Sequence, residues 1–157
     1  MSLFTIFQIA SQGMSAQRER LEAATSNLAN AHTTRTAEGG PYRRRDVIFE
    51  TITVEEPRPS FGEALNSLFP NGSVFPGSPG SPQGVQSTTR LAPASEVTLR
   101  YQPDHPDANS SGYVALPEVD PLEETVNMIS AARSFEANAT AFNTAKEMAR
   151  ASLKLGE

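Results

Sequence analysis

Few residues in this 157-residue chain are equipped for chemistry. His32 and His105 are the only histidines, and they lie in separate polar segments. Asp104-His105-Pro106-Asp107 offers carboxylate and imidazole metal ligands, but the flanking prolines make a short turn the simpler reading. With no cysteine, disulfides, thiolate zinc sites, iron–sulfur clusters and cysteine nucleophiles are excluded. Neither histidine has a serine nucleophile motif nearby. Arg43-Arg44-Arg45 has the charge to grip phosphate, yet beside Asp46 and Glu50 it reads as an exposed strand edge or a partner contact. Glu123-Glu124 reads as a helix-start feature rather than an acid pair. Three glycosylation sequons, at Asn71, Asn109 and Asn138, receive no role, because such triplets arise by chance in chains rich in Asn, Ser and Thr. No catalytic, cofactor-binding or metal residue is therefore assigned, and no cofactor is expected.

The elements that carry these residues are constrained by composition. Leu, Ile, Val and Phe together make only 32 residues, so a large self-sufficient core is not expected. The net charge of −5 argues against nucleic acid as the partner, since phosphate binding needs a basic face. The first ten residues are interrupted by Thr5 and Gln8 and carry no Lys or Arg, unlike a secretory signal. No run approaches the ~20 apolar residues of a membrane-spanning helix, so the chain is expected to be soluble and, by ordinary signals, unsecreted.

Both ends of the chain carry a seven-residue repeat. Phe7, Met14, Leu21 and Leu28 form one line, and Leu3, Ala10, Ala24 and Ala31 form a second, broken once at Gln17. Gly13 marks a flexible joint or a close approach, and the helix is expected to fade near Asn30. In the last forty residues Asp120 reads as an N-cap with Pro121 at the first helical position. From there Met128, Phe135, Phe142 and Ala149 keep the spacing, with Ala132, Ala139 and Leu153 on the companion line beside Lys146. These two seams are the expected assembly surfaces. Their large apolar side chains are too few to order such long helices from one face, so the ends are expected to order fully only when packed together and against neighbouring subunits.

The middle is different. Residues 47–54, 97–101 and 112–116 read as short strands, and Pro70 to Gly84, with four Pro and four Gly, reads as a mobile loop. The expected organisation is an N-terminal heptad helix within 1–35, an irregular β-containing region over 36–117, and a C-terminal heptad helix within 118–157. The fold class is mainly α with a small β-containing insert, the terminal helices pairing as a coiled coil.

The residues Ser26-Asn27-Leu28-Ala29-Asn30, after Thr25, resemble the N-terminal signature of the bacterial flagellar rod, hook and axial proteins. A second block, Tyr101 to Ala108 followed by Ser111-Gly112-Tyr113-Val114, resembles the FlgC family of the proximal rod, as do Ser134 to Asn138 and Asn143 to Lys146. The axial motif usually continues with Asn-Thr and an early Gly, whereas here Ala31-His32-Thr33-Thr34 follow and Gly39 comes later. The resemblance implies a non-enzymatic structural subunit of the flagellar basal body, located in the rod within the periplasm. It further implies export through the flagellar type III apparatus and assembly into a helical tube that transmits motor torque toward the hook. The implied partners are the protein itself, other rod proteins, the adaptor FliE and the membrane-embedded ring. No nucleic acid or small-molecule substrate is implied. Asn27 and Asn30 are candidates either for interhelix hydrogen bonds that fix register or for a helix-end role. The competing readings are a soluble coiled-coil adaptor that folds as a self-contained helical hairpin and, third, an enzyme centred on His105.

Overall fold

A computed structural model describes residues 3–54 and 82–154. The element order is α1 (Leu3–Ala29), β1 (Arg45–Thr53), β2 (Gln83–Leu91), β3 (Val97–Tyr101), β4 (Tyr113–Pro117) and α2 (Pro121–Lys154). Two long helices and two separate two-stranded antiparallel sheets therefore make up the described chain.

The helices run antiparallel. Asn27 reaches Glu124, Arg20 reaches Asn127, Gly13 lies against Asn138, and the rings of Phe7 and Phe142 meet with centroids 4.9 Å apart. Small side chains fill the surface between them. Ala10, Ala16, Ala23 and Ala24 on α1 are buried, as are Ala131 and Ala145 on α2. Glu124, Ala131, Asn138 and Ala145 are seven residues apart, so one face of α2 is turned toward α1 along its length. Alanine permits this because helix axes approach closely only where no long side chain stands between them. Gly13 is a point of close approach: a Cβ there would lie 2.9 Å from Asn138 Nδ2.

The helix ends follow their sequence signals. Asp120 Oδ1 accepts a hydrogen bond from the Leu122 N–H at 2.9 Å, an N-cap that satisfies one of the orphan donors of α2. α1 stops at Ala29. Beyond it Asn30 Nδ2 donates to the Ser26 carbonyl at 2.8 Å while its Oδ1 accepts from Thr33 Oγ1, so Asn30 takes the helix-end role.

β1 and β2 pair over nine residues, from Arg45↔Leu91 to Thr53↔Gln83. The ladder continues past both ends, with the Val54 N–H donating to the Pro82 carbonyl and the Ala92 N–H to the Arg44 carbonyl. This sheet packs on α1, and Gly84 lies directly against Gln12. β2 was not expected from sequence, and it takes in Gln83 and Gly84, two residues assigned to the mobile loop. The correction has a physical cause: Gln83–Leu91 has weak apolar alternation and becomes a strand through its pairing with β1 and its contact with α1. Of the remaining loop only Pro82 is among the described residues.

β3 and β4 pair from Val97↔Pro117 to Tyr101↔Tyr113, where the two tyrosine rings meet edge to face at 5.3 Å. Gly112 turns the chain into β4 with φ +78, a conformation that glycine adopts without strain. Among the described elements, this sheet packs against no other. Loop contacts at Asp107 tie it to the segment after α1: Thr34 Oγ1 donates to Asp107 Oδ2 at 2.8 Å, and Arg35 lies 3.9 Å from Asp107 Oδ1.

Candidate assembly junction

The most tightly organised point in the molecule is Asn27, buried to 1% exposure near the C-terminal end of α1. Its Nδ2 donates to the Arg45 carbonyl at 2.9 Å and to Glu124 Oε1 at 3.0 Å. Its Oδ1 accepts from the Arg45 N–H at 2.8 Å and from the Tyr42 hydroxyl at 3.0 Å. A carboxamide has two donors and two acceptor lone pairs, and all four are used. Asn27 thus grips both backbone groups of the first residue of β1, as a neighbouring strand would, and spans to the first turn of α2. Of the two roles open to it, it takes the interhelix one.

The surrounding chain is folded to make this possible. After α1, residues 30–44 turn back on themselves, with Gly39 and Gly40 at φ +87 and +80, and deliver Tyr42 beside Asn27. The Tyr42 hydroxyl also lies 3.0 Å from Ser26 Oγ, so two adjacent motif residues share it. Leu28, in contrast, is half-buried and Ala29 exposed.

Glu124 is buried between α1 and β1. Burial pushes its carboxyl group above the ordinary value of 4.5, opposed by the Asn27 hydrogen bond and by the nearby Arg44 charge, while Glu123 and Asp46 push it further up. A partly open notch of about 180 Å³ lies next to it, lined by Arg20, Ala23, Arg45, Asp46, Glu124 and Asn127. In the notch Arg20 donates to Asn127 Oδ1 at 2.9 Å. Sequence reasoning took Glu124 for a helix-start acid and missed its burial; an acid seven residues before Ala131, on the same helix face, was the available signal.

Most of the other residues singled out for chemistry have structural partners. His105 Nδ1 accepts the Asp107 N–H at 3.1 Å within a tight turn, where the His105 N–H also bonds the Gln102 carbonyl. His32 is exposed. Among the described residues, no three His, Cys, Asp or Glu side chains gather where they could hold a metal ion. In the arginine triplet, Arg43 Nε donates to the Ala92 carbonyl at 2.8 Å and Arg44 pairs with Asp46 at 3.0 Å. Arg45 contributes its backbone to Asn27. No described helix is long and apolar enough to cross a membrane.

The expected seam residues divide into three groups. Ala10, Ala24 and Ala31 are buried within the chain. Phe7, Met14, Leu21, Leu28, Met128, Ala132, Ala139, Phe142 and Ala149 are half-buried. Phe135 and Leu153 are exposed, at 40% and 75%. The side chain of Leu3 lies outside the described residues.

The same two helices carry the resemblance to known proteins. A family model described as "Flagella basal body rod protein" matches residues 7–35, and "Flagellar basal body rod FlgEFG protein C-terminal" matches residues 110–155. The chain is 40% identical over 161 residues to the flagellar basal-body rod protein FlgC of Borreliella burgdorferi, covering 99% of this chain and 98% of that one. It is 37% identical to the FlgC of Bacillus subtilis and 34% identical to that of Salmonella typhimurium, each over the full length of both chains. Matching end to end at these identities, and ordering its α1 motif around a buried asparagine, the chain belongs to the FlgC family of flagellar basal-body rod proteins, a structural family and not an enzymatic one.

Proposed function

We propose that the chain is a subunit of the proximal rod, exported by the flagellar type III apparatus and assembled in the periplasm into a helical tube that transmits torque toward the hook. Its partners are further copies, other rod proteins, the adaptor FliE, the membrane-embedded ring and, during export, the export apparatus. The observation that carries this reading is the antiparallel α1–α2 pair, closed at one end by Asn27 and matched to relatives named as rod proteins over its whole length. In the tube, α1 and α2 act as coiled-coil elements, and the half-buried and exposed seam residues, Phe7, Met14, Leu21, Leu28, Met128, Phe135, Phe142 and Leu153 among them, complete their burial against neighbours. Torsional stiffness then follows from close-packed interfaces, because interiors at crystal-like density deform little.

The test is genetic. In the source bacterium deleted for its own copy, the wild-type chain is expected to restore swimming and visible rods, and a Phe142→Asp chain to restore neither, because the change puts a charge into a packed surface. Swimming by the Phe142→Asp strain would overturn the seam assignment, and failure of the wild-type chain would overturn the rod reading. Hydrogen exchange on the dilute chain separates the adaptor alternative. The rod reading expects fast exchange at Phe4–Ile9 and Ala145–Lys154; strong protection at both would favour a self-contained hairpin.

A further inference from the structure

We propose that the β3–β4 sheet is a hinged unit held to the rest of the chain by a latch at the Asp107 carboxylate, and that protonation of His105 releases this latch. The proposal concerns the free chain and does not depend on the rod reading. The unit is tied within itself. Besides the β3–β4 ladder, the Gln102 N–H donates to the Gly112 carbonyl and the Asn109 N–H to the Tyr113 carbonyl, while Asn109 Oδ1 accepts the Ser111 and Tyr113 N–H groups. Its joints are short. On one side Ala92 is fixed, its N–H donating to the Arg44 carbonyl and its carbonyl accepting from Arg43 Nε, which leaves Pro93 to Glu96 before β3. On the other, only Glu118 and Val119 separate β4 from Asp120, the N-cap of α2.

Outside these joints, and among the described residues, the hydrogen bonds and ion pairs between residues 97–117 and the rest of the chain converge on one carboxylate. Thr34 Oγ1 donates to Asp107 Oδ2 at 2.8 Å, and Arg35 Nη1 lies 3.9 Å from Asp107 Oδ1. No other described element packs on this sheet. A body that is stiff within, jointed through two short segments and fastened at one side chain turns on its joints when that fastening opens.

His105 acts on the same carboxylate. Its Nδ1 accepts the Asp107 N–H at 3.1 Å, a role that requires the neutral imidazole with its proton on Nε2. The same Nδ1 lies 4.0 Å from Asp107 Oδ2, the oxygen that Thr34 uses. Protonation turns Nδ1 from an acceptor into a donor. The Asp107 N–H then loses its partner, and Nδ1–H competes with the Thr34 hydroxyl for Oδ2. Both changes act against the latch. The other charged side chains of the cluster are Arg35, which repels an imidazolium, and Asp104 in the same turn, which attracts one. Neither replaces the acceptor that the Asp107 N–H loses.

The chain has no cysteine, so Ser15→Cys on α1 and Thr98→Cys on β3, both exposed positions, take a clean pair of nitroxide labels. Double electron–electron resonance on the labelled full chain reads the spread of distances between them. A narrow distribution is expected at about pH 8, broadening severalfold at about pH 5, the interval over which histidine side chains take up a proton. Adding His105→Gln, neutral throughout, is expected to make the width the same at both pH values. Asp107→Ala, and separately Thr34→Val with Arg35→Gln, are expected to give the broad distribution at both. The second pair leaves the turn around His105 untouched and decides the matter if Asp107→Ala disturbs it. Helical circular dichroism is expected to stay unchanged in every case. Overturning results are a broad distribution in the otherwise wild-type chain at about pH 8, equal widths at the two pH values, acid broadening that survives His105→Gln, or a narrow distribution after Thr34 and Arg35 are both replaced.

Discussion

The two ends of the helix pair solve the same packing problem by different means. At one end Asn27 is saturated with hydrogen bonds to β1, Tyr42 and Glu124, and three elements close around it. At the other, the tilted rings of Phe7 and Phe142 meet at 4.9 Å and α2 then continues with the side chains of Ala151 to Lys154 in solvent. Seven-residue spacing runs through both, so spacing alone does not set local stability. What differs is whether the contacts are directional. Hydrogen bonds to a buried carboxamide permit one register, and a slip breaks all four, whereas an aromatic pair slides at modest cost.

That contrast can be broken most sharply at Asn27. Asn27→Leu keeps approximate volume but strips partners from the Arg45 backbone, the Tyr42 hydroxyl and the Glu124 carboxylate. It is expected to lower unfolding free energy by about 3–5 kcal/mol, read as a shift of the denaturant midpoint. Phe142→Ala acts at the open end, where the ring is only half-buried, and is expected to cost about 1–3 kcal/mol in the same titration, below the usual range for a fully buried Phe. A loss equal to that of Asn27→Leu would show that the two ends are equally specified.

Glu124 sharpens the comparison through pH. Because its folded pKa is raised above 4.5, the folded state favours the protonated carboxyl. Its stabilising contribution is fully present below about 4.5, is lost as pH rises through the raised value, and is constant above that. Glu124→Gln keeps an oxygen for Asn27 Nδ2 and removes the titration. Thermal melts across that window should therefore show the wild type losing stability relative to the variant as pH rises; parallel curves would refute the assignment. The smallest effect is expected at Leu153, 75% exposed. Leu153→Ser should shift the free chain's stability by under about 0.5 kcal/mol, and a larger loss would mean that the tip of α2 is held within the monomer.

The helices were legible because a long periodic signal with a clear N-cap at Asp120 survives any tertiary context. Which residues of the pattern become buried was less legible. The large side chains mark the stripe, but the surfaces in closest contact are lined by Ala23, Ala24, Ala131 and Ala145, small enough to lie between the axes. β2 was hidden for a different reason: Gln83–Leu91 contains Val85 and Leu91 as its only large apolar residues, and its partner strand lies far away in sequence. The motif around Asn27 was visible as letters, but its meaning depended on Tyr42, Arg45 and Glu124, up to 97 residues distant. No local pattern contains that information.

The closing of the β1–β2 ladder has a practical consequence. Val54 and Pro82 are joined by a 2.9 Å hydrogen bond, so the chain leaves and rejoins the sheet at neighbouring points. Whatever stretch of polypeptide connects them, the ladder meets the same two anchors. This doorway is a natural graft point, where an affinity tag or fluorescent reporter can be spliced in while the register from Arg45↔Leu91 to Thr53↔Gln83 stays unchanged.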